Sequence, residues 1–170
     1  MKKTILTLFV LFSIITVQAQ KFAYVDTEYI LQNIPNYETA QQQLDDMSKK
    51  WQSEIEDIYA EVEKMYKSYQ AESVLLTDEQ KRKKENEIIE KENQAKALQK
   101  KYFARDGMLF NKRQELVKPI QDEVFNAIKE LAVEGSYAFI FDVAGSVSIL
   151  YSNPKYDLSD QILEKLGYKN

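Results

Sequence analysis

Apolar residues recur at steps of three or four along a long stretch of the chain. They occupy ten positions: Tyr37, Ala40, Leu44, Met47, Trp51, Ile55, Ile58, Val62, Met65 and Tyr69. This spacing keeps one apolar stripe on one face of an α-helix. The surrounding stretch, 36–118, contains no proline and only one glycine, Gly107, so a long and largely helical segment is predicted there.

A second helix is predicted to begin near Thr77. Gln80 follows Thr77 by three residues, which is the spacing of a capping box. If the chain folds back here, facing residue numbers in the two arms sum to about 153, and Trp51 then faces Tyr102. We therefore predict an antiparallel helical hairpin over 36–118, with arms of about 40 residues that would be roughly 60 Å long. A plain coiled-coil spacer without binding function is the alternative.

Strand-forming residues are concentrated near the two ends of the chain. They fall in three segments, 22–26, 137–142 and 147–151. The last two flank Ala144-Gly145-Ser146, which predicts a β-hairpin between them. The predicted fold class is therefore α+β, with a hairpin arm over 36–118 and a β-rich body made from 20–35 and 119–170.

Short helices are predicted beside these strands. Thr27 can cap a helix over 28–33, and Asp157 or Ser159 can cap a last helix that ends before Gly167. Three short strands and two small helices bury little apolar area and leave strand edges open. We therefore expect an obligate oligomer joined through the strands, with the arms projecting from a strand-built body.

Two residues interrupt the second arm and are candidate hinges. Gly107 should weaken a helix by about 1 kcal/mol relative to alanine. Pro119 removes one backbone hydrogen bond, so a bend is predicted there. For Gly107 a hinge and a merely tolerated break both stay open.

Residues 1–19 have the form of a secretory signal peptide. Lys2 and Lys3 precede an apolar run over 5–17, and small residues precede a predicted cleavage after Ala19. The apolar run is shorter than the roughly 18 residues that a membrane span needs. We expect an exported, soluble mature protein, with an uncleaved anchor as the alternative.

Composition excludes several classes of function. Loss of Lys2 and Lys3 would leave 21 basic residues against 27 acidic ones, a net charge of −6, which disfavours nucleic-acid binding. The chain has no histidine and no cysteine, which rules out Ser-His-Asp, Cys-His and His/Cys zinc sites. Its four glycines are too dispersed for a phosphate-binding loop. Asp26 and Asp142 end strands, where turn or cap roles are favoured over a paired-carboxylate site. The sequence thus predicts no enzyme, no cofactor and no metal, and action without ATP.

Two sets of residues are candidates for binding partners. Six apolar positions lie beside the predicted seam: Tyr59, Tyr66, Ile89, Phe103, Phe110 and Val117. They either face solvent as an interaction surface or widen the seam of the arm. A basic run lies near the predicted tip: Lys81, Arg82, Lys83 and Lys84. This run is either a solvated charged face or a contact for acidic clients or anionic lipid headgroups.

The chain resembles the Skp/OmpH family of periplasmic chaperones over almost its whole mature length. The match comprises the signal peptide, the charged hairpin and five short segments: 22–26, 30–35, 119–120, 137–142 and 150–160. The resemblance implies a homotrimer with a common strand-built body and three helical tentacles around a cavity. It implies an ATP-independent holdase for unfolded outer-membrane proteins in the periplasm.

The resemblance also assigns residues to the trimer body. These are Tyr24, Val25, Phe139, Ile140, Ile149 and Leu150. The best-known members are strongly basic, and this acidic chain departs from them, which leaves electrostatic capture of clients and lipopolysaccharide binding open. The alternative function is a structural coiled-coil adaptor of the cell envelope that binds one folded partner.

Overall fold

The computed structural model describes residues 20–145 and 149–168, and the predicted signal peptide lies outside this part of the chain. Two compact units are present. The hairpin unit is Leu31–Glu123, and the terminal unit combines the described residues up to Ile30 with those from Val124 onwards. The elements in chain order are β1 (Lys21–Val25), α1 (Thr27–Gln32), α2 (Pro35–Glu72), a 3-10 turn (Ser73–Leu75), α3 (Asp78–Phe103), α4 (Met108–Leu116), α5 (Lys118–Glu134), β2 (Tyr137–Asp142), a second 3-10 turn (Pro154–Tyr156) and α6 (Ser159–Lys165).

The predicted apolar stripe is the least exposed face of α2. Six of its residues are buried: Ala40, Leu44, Trp51, Ile55, Ile58 and Val62. The stripe explains why a helix of 38 residues is stable here, since most helical stability in proteins comes from packing of one apolar face. Its partners lie on α3, where Ile88, Ala95 and Tyr102 are buried.

Contacts between α2 and α3 confirm the antiparallel hairpin. Trp51 stacks on Tyr102 with ring centroids 4.8 Å apart and planes at 4° to each other, as the predicted register requires. Closer to the fold-back, Lys84 lies 2.7 Å from a carboxylate oxygen of Glu72. Residues later in α2 therefore contact residues earlier in α3, which is the order of an antiparallel pair.

The fold-back at the tip is held by the predicted capping box. The backbone N–H of Gln80 donates to Thr77 Oγ1 at 3.3 Å, and the backbone N–H of Thr77 donates to Gln80 Oε1 at 3.0 Å. Two backbone donors that an uncapped helix start would leave without partners are thereby satisfied. The predicted start of the second helix is confirmed.

The second arm is interrupted between Phe103 and Met108. A Cβ on Gly107 would lie 2.8 Å from the carbonyl oxygen of Tyr102 and 2.9 Å from the backbone nitrogen of Ala104. Such contacts with backbone atoms are too short for any side chain, so the break requires glycine. The role of Gly107 as a hinge stays a prediction.

Pro119 lies in the first turn of α5, where backbone N–H groups have no partner within the helix. The helical run is broken one position before α5, at Val117 between α4 and α5. Proline therefore removes no helical hydrogen bond here, and its role as a hinge also stays a prediction.

The sheet of the terminal unit differs from the predicted β-hairpin. β2 pairs in parallel with β1, and Ala23 lies opposite Ile140. Residues 149–151 form no strand, while the other predicted strand residues, 147 and 148, lie outside the described chain. The β-hairpin prediction is therefore wrong for residues 149–151. Alternation of residues identifies strand formers, but it does not identify their partners, and here the partner lies more than a hundred residues away.

Polar side chains at the strand ends fix the adjacent helices. Asp26 Oδ1 accepts the backbone N–H of Tyr29 at 2.9 Å, so Asp26 caps α1 and the predicted cap, Thr27, is wrong. Thr27 instead donates its hydroxyl to Asp142 Oδ2 at 2.6 Å, and Asp142 Oδ1 accepts the N–H of Ala144 at 3.0 Å. Both aspartates therefore serve as caps and turn formers, as the sequence favoured.

The last helix ends before Gly167 as predicted, but its N-cap position is Leu158, which forms no side-chain cap hydrogen bond. Asp157 Oδ1 accepts the backbone N–H of Ser159, the first residue of α6, at 2.9 Å. Gly167 has φ +85°, and the N–H of Tyr168 donates to the carbonyl of Leu163 at 2.8 Å, which together form a Schellman motif. Buried apolar residues of this helix and its start are Leu158, Ile162 and Leu163.

We expect Gly107→Ala to destabilise the hairpin unit by about 1–3 kcal/mol, because the new methyl group must displace backbone. Urea unfolding followed by far-ultraviolet circular dichroism measures this change. Gly145→Ala is the matched control, since a Cβ at Gly145 meets nothing within 4 Å. Equal stability of the two variants would show that the break does not need glycine.

Candidate interaction surfaces

The described residues hold no group of three or more acidic side chains arranged to bind a metal ion. In the same part of the chain, no helix combines the length and apolar character that crossing a bilayer requires. The chemically distinctive features are exposed apolar surfaces on both units and a basic segment on the hairpin unit.

Four of the six predicted arm-surface residues are exposed to solvent. Tyr59 and Tyr66 lie seven residues apart on α2, and Ile89 and Phe110 lie on α3 and α4. The seam between two helices can cover one stripe on each helix, and these positions fall outside it. Exposed apolar side chains in this number are typical of a binding surface, and their contact with a partner stays a prediction.

The other two predicted arm-surface residues are not exposed to solvent in the same way. Val117 has only 3% of its surface exposed, so its predicted role as a client contact is wrong. Phe103 is half-buried and packs edge-on against Trp51, with ring centroids 6.4 Å apart. A spacing of seven keeps residues on one face only along an unbroken helix, whereas the helix is interrupted after Phe103 and at Val117.

The aromatic cluster around Trp51 holds the middle of the hairpin together. It consists of Trp51, Ile55 and Tyr102, with Leu98 and other half-buried residues packed against it. The hydroxyl of Tyr102 donates to Glu54 Oε2 at 2.9 Å, and this hydrogen bond to a carboxylate raises the pKa of Tyr102. The ring can therefore be buried while its polar end keeps a partner.

The basic run at the tip divides into one residue that stabilises the hairpin and three that do not. Lys84 pairs with Glu72, and the hydrogen bonds from Lys84 and then Ser68 lower the pKa of Glu72. The side chains of Lys81, Arg82 and Lys83 form no ion pair with any residue in the described part of the chain. These three charges are available to a partner.

Sequence reasoning missed two apolar residues at the tip itself. Val74 and Leu75, in the 3-10 turn, have 86% and 84% of their surface exposed. They follow the last turn of α2, where no residue of α3 remains to pack against them. The signal was present in the sequence, because apolar residues at a fold-back cannot reach the seam.

The terminal unit carries an exposed aromatic face on its sheet. The ring of Phe22 on β1 stacks on that of Phe139 on β2 at 6.0 Å, and Phe139 stacks on Phe141 at 6.2 Å. All three remain exposed. An open cavity of about 930 Å³ adjoins Phe22 and Phe141, and its other lining residues include Tyr24, Tyr137, Ile149, Tyr151 and Tyr156.

The residues that the resemblance assigns to the trimer body differ in exposure. Leu150 is 99% exposed, and Phe139 and Ile149 are also exposed. Tyr24 and Ile140 are half-buried. Val25 has only 1% of its surface exposed, so it is already part of the core of a single subunit and needs no partner to bury it. The free edge of β2 has no neighbouring strand among the described residues, which leaves its backbone groups open to pairing.

A family model described as outer membrane protein (OmpH-like) matches residues 21–166. The chain therefore belongs to the OmpH-like family. Its curated relatives include the chaperone protein Skp of Yersinia enterocolitica, 24% identical over 153 residues, which cover 89% of this chain and 88% of that protein. The chaperone protein Skp of Vibrio cholerae serotype O1 is 24% identical over 152 residues, which cover 87% of this chain and 84% of that protein.

A solved structure has the same fold. The crystal structure of an OmpH-like protein from Caulobacter crescentus CB15 aligns with a TM-score of 0.65 at 10% identity, covering 89% of this chain and 86% of that one. The predicted α+β fold class is confirmed.

We expect Val117→Ala to lower the free energy of unfolding by about 1–3 kcal/mol, because it removes buried methyl groups. Phe110→Ala removes a larger but exposed side chain, and its effect should stay within about 0.5 kcal/mol. Urea unfolding of both variants measures the difference. A greater loss in Phe110→Ala would reassign Phe110 to the core and Val117 to the surface.

Proposed function

We propose that this chain is an ATP-independent periplasmic holdase that binds unfolded outer-membrane proteins between the arms of a homotrimer. The observation that carries the proposal is the apolar arm surface formed by Tyr59, Tyr66, Ile89 and Phe110, which stay exposed in the packed hairpin. Membership of a family that includes Skp chaperones supports it.

Separate apolar side chains on long helices suit the holding of unfolded chains. Each contact is weak, but several contacts on one client act together through their high effective concentration. Each contact also breaks readily, so a client can leave without energy from a nucleotide. The charged residues between the apolar ones keep the arm hydrated when no client is bound, since their charges lie on exposed helix faces.

Self-association through the terminal unit would provide several arms for one client. The stacked face of Phe22, Phe139 and Phe141 and the exposed residues Ile149 and Leu150 present apolar area that a lone subunit leaves in water. A stable interface typically buries about 800 Å² on each partner. A second and third copy of the chain would pair along the free edge of β2 and pack against this surface, and the family resemblance supports a trimer.

Aggregation of an unfolded outer-membrane β-barrel protein tests the holdase. The mature protein at one trimer per client should suppress light scattering without ATP. Tyr59→Ser, Tyr66→Ser and Ile89→Ser together should weaken client affinity at least tenfold, a loss of roughly 1.4 kcal/mol or more, because three apolar contacts per arm are removed.

The matched control combines Lys64→Ser, Gln70→Ser and Glu90→Ser, which change three exposed polar residues on the same two helices. Its affinity for the client should stay within about twofold of the unaltered protein, as expected of surface changes. Failure of the unaltered protein to suppress scattering would contradict the holdase. Recovery of one folded partner in stoichiometric amount from an envelope extract would instead favour the adaptor.

Leu150→Asp tests self-association. Because Leu150 is 99% exposed, the change should not destabilise a lone subunit, whereas a charge buried at an interface is strongly unfavourable. We expect the mass measured by sedimentation to fall from trimer towards monomer. The matched control, Leu75→Asp, changes an equally apolar, exposed residue of the other unit and should leave the trimer intact. A lone subunit as the main species of the unaltered protein would contradict this proposal.

A further inference from the structure

The helices of the hairpin carry opposite charge. α2 holds nine acidic and four basic side chains, whereas α3 and α4 together hold seven acidic and ten basic ones. The difference is concentrated in two segments. Residues 54–63, the acidic band, contain five acidic side chains and no basic one. Residues 93–105, the basic band, contain four basic side chains and no acidic one.

Many of these charges are not used inside the hairpin. Five residues of the two bands form no ion pair with any residue in the described part of the chain: Glu56, Asp57, Lys100, Lys101 and Arg105. All five are exposed. Glu56 accepts a hydrogen bond from the neutral side chain of Gln52 at 3.0 Å, and Lys101 lies 5.5 Å from the centroid of the Tyr102 ring. Neither contact neutralises a charge, so the bands can bind a charged partner.

The two bands lie at nearly the same position along the hairpin axis. The stacked rings of Trp51 and Tyr102 mark one common position on α2 and α3. Asp57 lies six residues from Trp51 towards the tip, and Lys100 lies two residues from Tyr102 in the same direction. Their positions therefore differ by about four residues, roughly 6 Å along the axis. Long charged side chains can bridge an offset of this size.

Charges of opposite sign border each band. Lys49 and Lys50 precede the acidic band, while Glu90 and Glu92 precede the basic band and Asp106 follows it. The field of each band is therefore confined to a short length of helix. A second arm is attracted only where bands of opposite sign come to the same position along the axis.

We propose that the acidic band of one arm binds the basic band of the neighbouring arm, so that the arms of the trimer close reversibly. This inference rests on the proposed trimer and concerns the regulation of its arms. In a cyclic trimer all arms point the same way, and each subunit meets the next through two different surfaces. α2 of one arm then meets α3 of the next with the two bands side by side. Exposed ion pairs are individually weak and are screened by salt, which makes the contact reversible.

A neighbouring arm fits the two bands better than a client does. Every copy of the chain carries both bands at nearly one position along the axis, whereas an unfolded client has no fixed arrangement of charge. A client segment of one sign is attracted by one band and repelled by the other. A second copy satisfies both bands at once, because it brings the acidic and the basic band together.

Distances between spin labels in the mature protein test this inference without client. The chain has no cysteine, so Gln70→Cys places one label on an exposed position of α2 outside both bands. We expect the mean distance between arms to increase by at least about 10 Å from about 10 mM to about 1 M sodium chloride, because the screening length falls from roughly 30 Å to 3 Å. Sedimentation at both salt concentrations measures whether the protein is a trimer.

Charge reversal identifies the residues responsible. Glu56→Lys with Asp57→Lys, and separately Lys100→Glu with Lys101→Glu, should open the arms at low salt by about as much as high salt does, because like charges then face each other. The variant that combines all four substitutions should close again at low salt. Urea unfolding should show little change in any of them, since the altered side chains are exposed.

Matched controls make the same changes in net charge outside the bands. Glu87→Lys with Glu90→Lys matches the first reversal, and Lys49→Glu with Lys50→Glu matches the second. All four residues are exposed. Both controls leave the two bands intact, so the distance at low salt should stay that of the unaltered protein.

Several results would overturn the inference while leaving the holdase proposal in place. The arms of a confirmed trimer could keep one distance at both salt concentrations, a band variant could stay closed, the combined variant could stay open, or a control could open. Weaker client binding by the band variants at unchanged distances would assign the bands to the client and also overturn it. A lone subunit as the main species in sedimentation would contradict the proposed trimer itself, and this inference with it.

Discussion

A hairpin of two helices has one seam, and the seam can bury one apolar stripe from each helix. This constraint governs the hairpin unit. The stripe that contains Trp51 is buried against Tyr102, and the cluster around this pair fixes the register of the two helices. Every further apolar residue on the helices must remain in water, which accounts for the exposure of Tyr66 and Ile89. The terminal unit is under a similar constraint, because a sheet of two strands cannot cover both its faces and its edges. The proposed function gives these exposed apolar surfaces binding partners.

The parts of the fold that depend on neighbouring residues could be predicted from the sequence. The buried stripe, the capping box at Thr77 and the last helix before Gly167 each rest on spacings of a few residues. The antiparallel register could also be predicted, because both arms carry apolar residues at positions that match about one fold-back point. The same reasoning explains how an OmpH-like protein can share this fold at 10% identity, since a seam requires apolar residues at regular spacing rather than particular residues.

The parts that depend on distant residues could not be predicted. β2 pairs with β1 although the hairpin unit lies between them in the sequence, and no local pattern identifies that partner. The break between Phe103 and Met108 depends on a close backbone approach that only Gly107 permits. Because of this break, the helical periodicity of the preceding residues does not predict which later residues face the seam. Val117 was therefore assigned to the surface although it is buried. At the candidate surface, the spacing alone leaves exposure and a wider seam both open for residues such as Tyr66 and Ile89, and the exposure of Val74 and Leu75 depends on where α3 ends its contact with α2.

The antiparallel seam is the central claim, and a distance between two introduced spin labels tests it most directly. The chain has no cysteine, so Glu63→Cys and Glu90→Cys would carry the only labels, at exposed positions whose numbers match the register. Packed helices lie about 8–10 Å apart, so labels on facing positions should be roughly 15–25 Å from each other in the mature protein. A dominant intrachain distance beyond about 40 Å would mean that the arms do not pair, because positions so far apart cannot lie on adjacent packed helices.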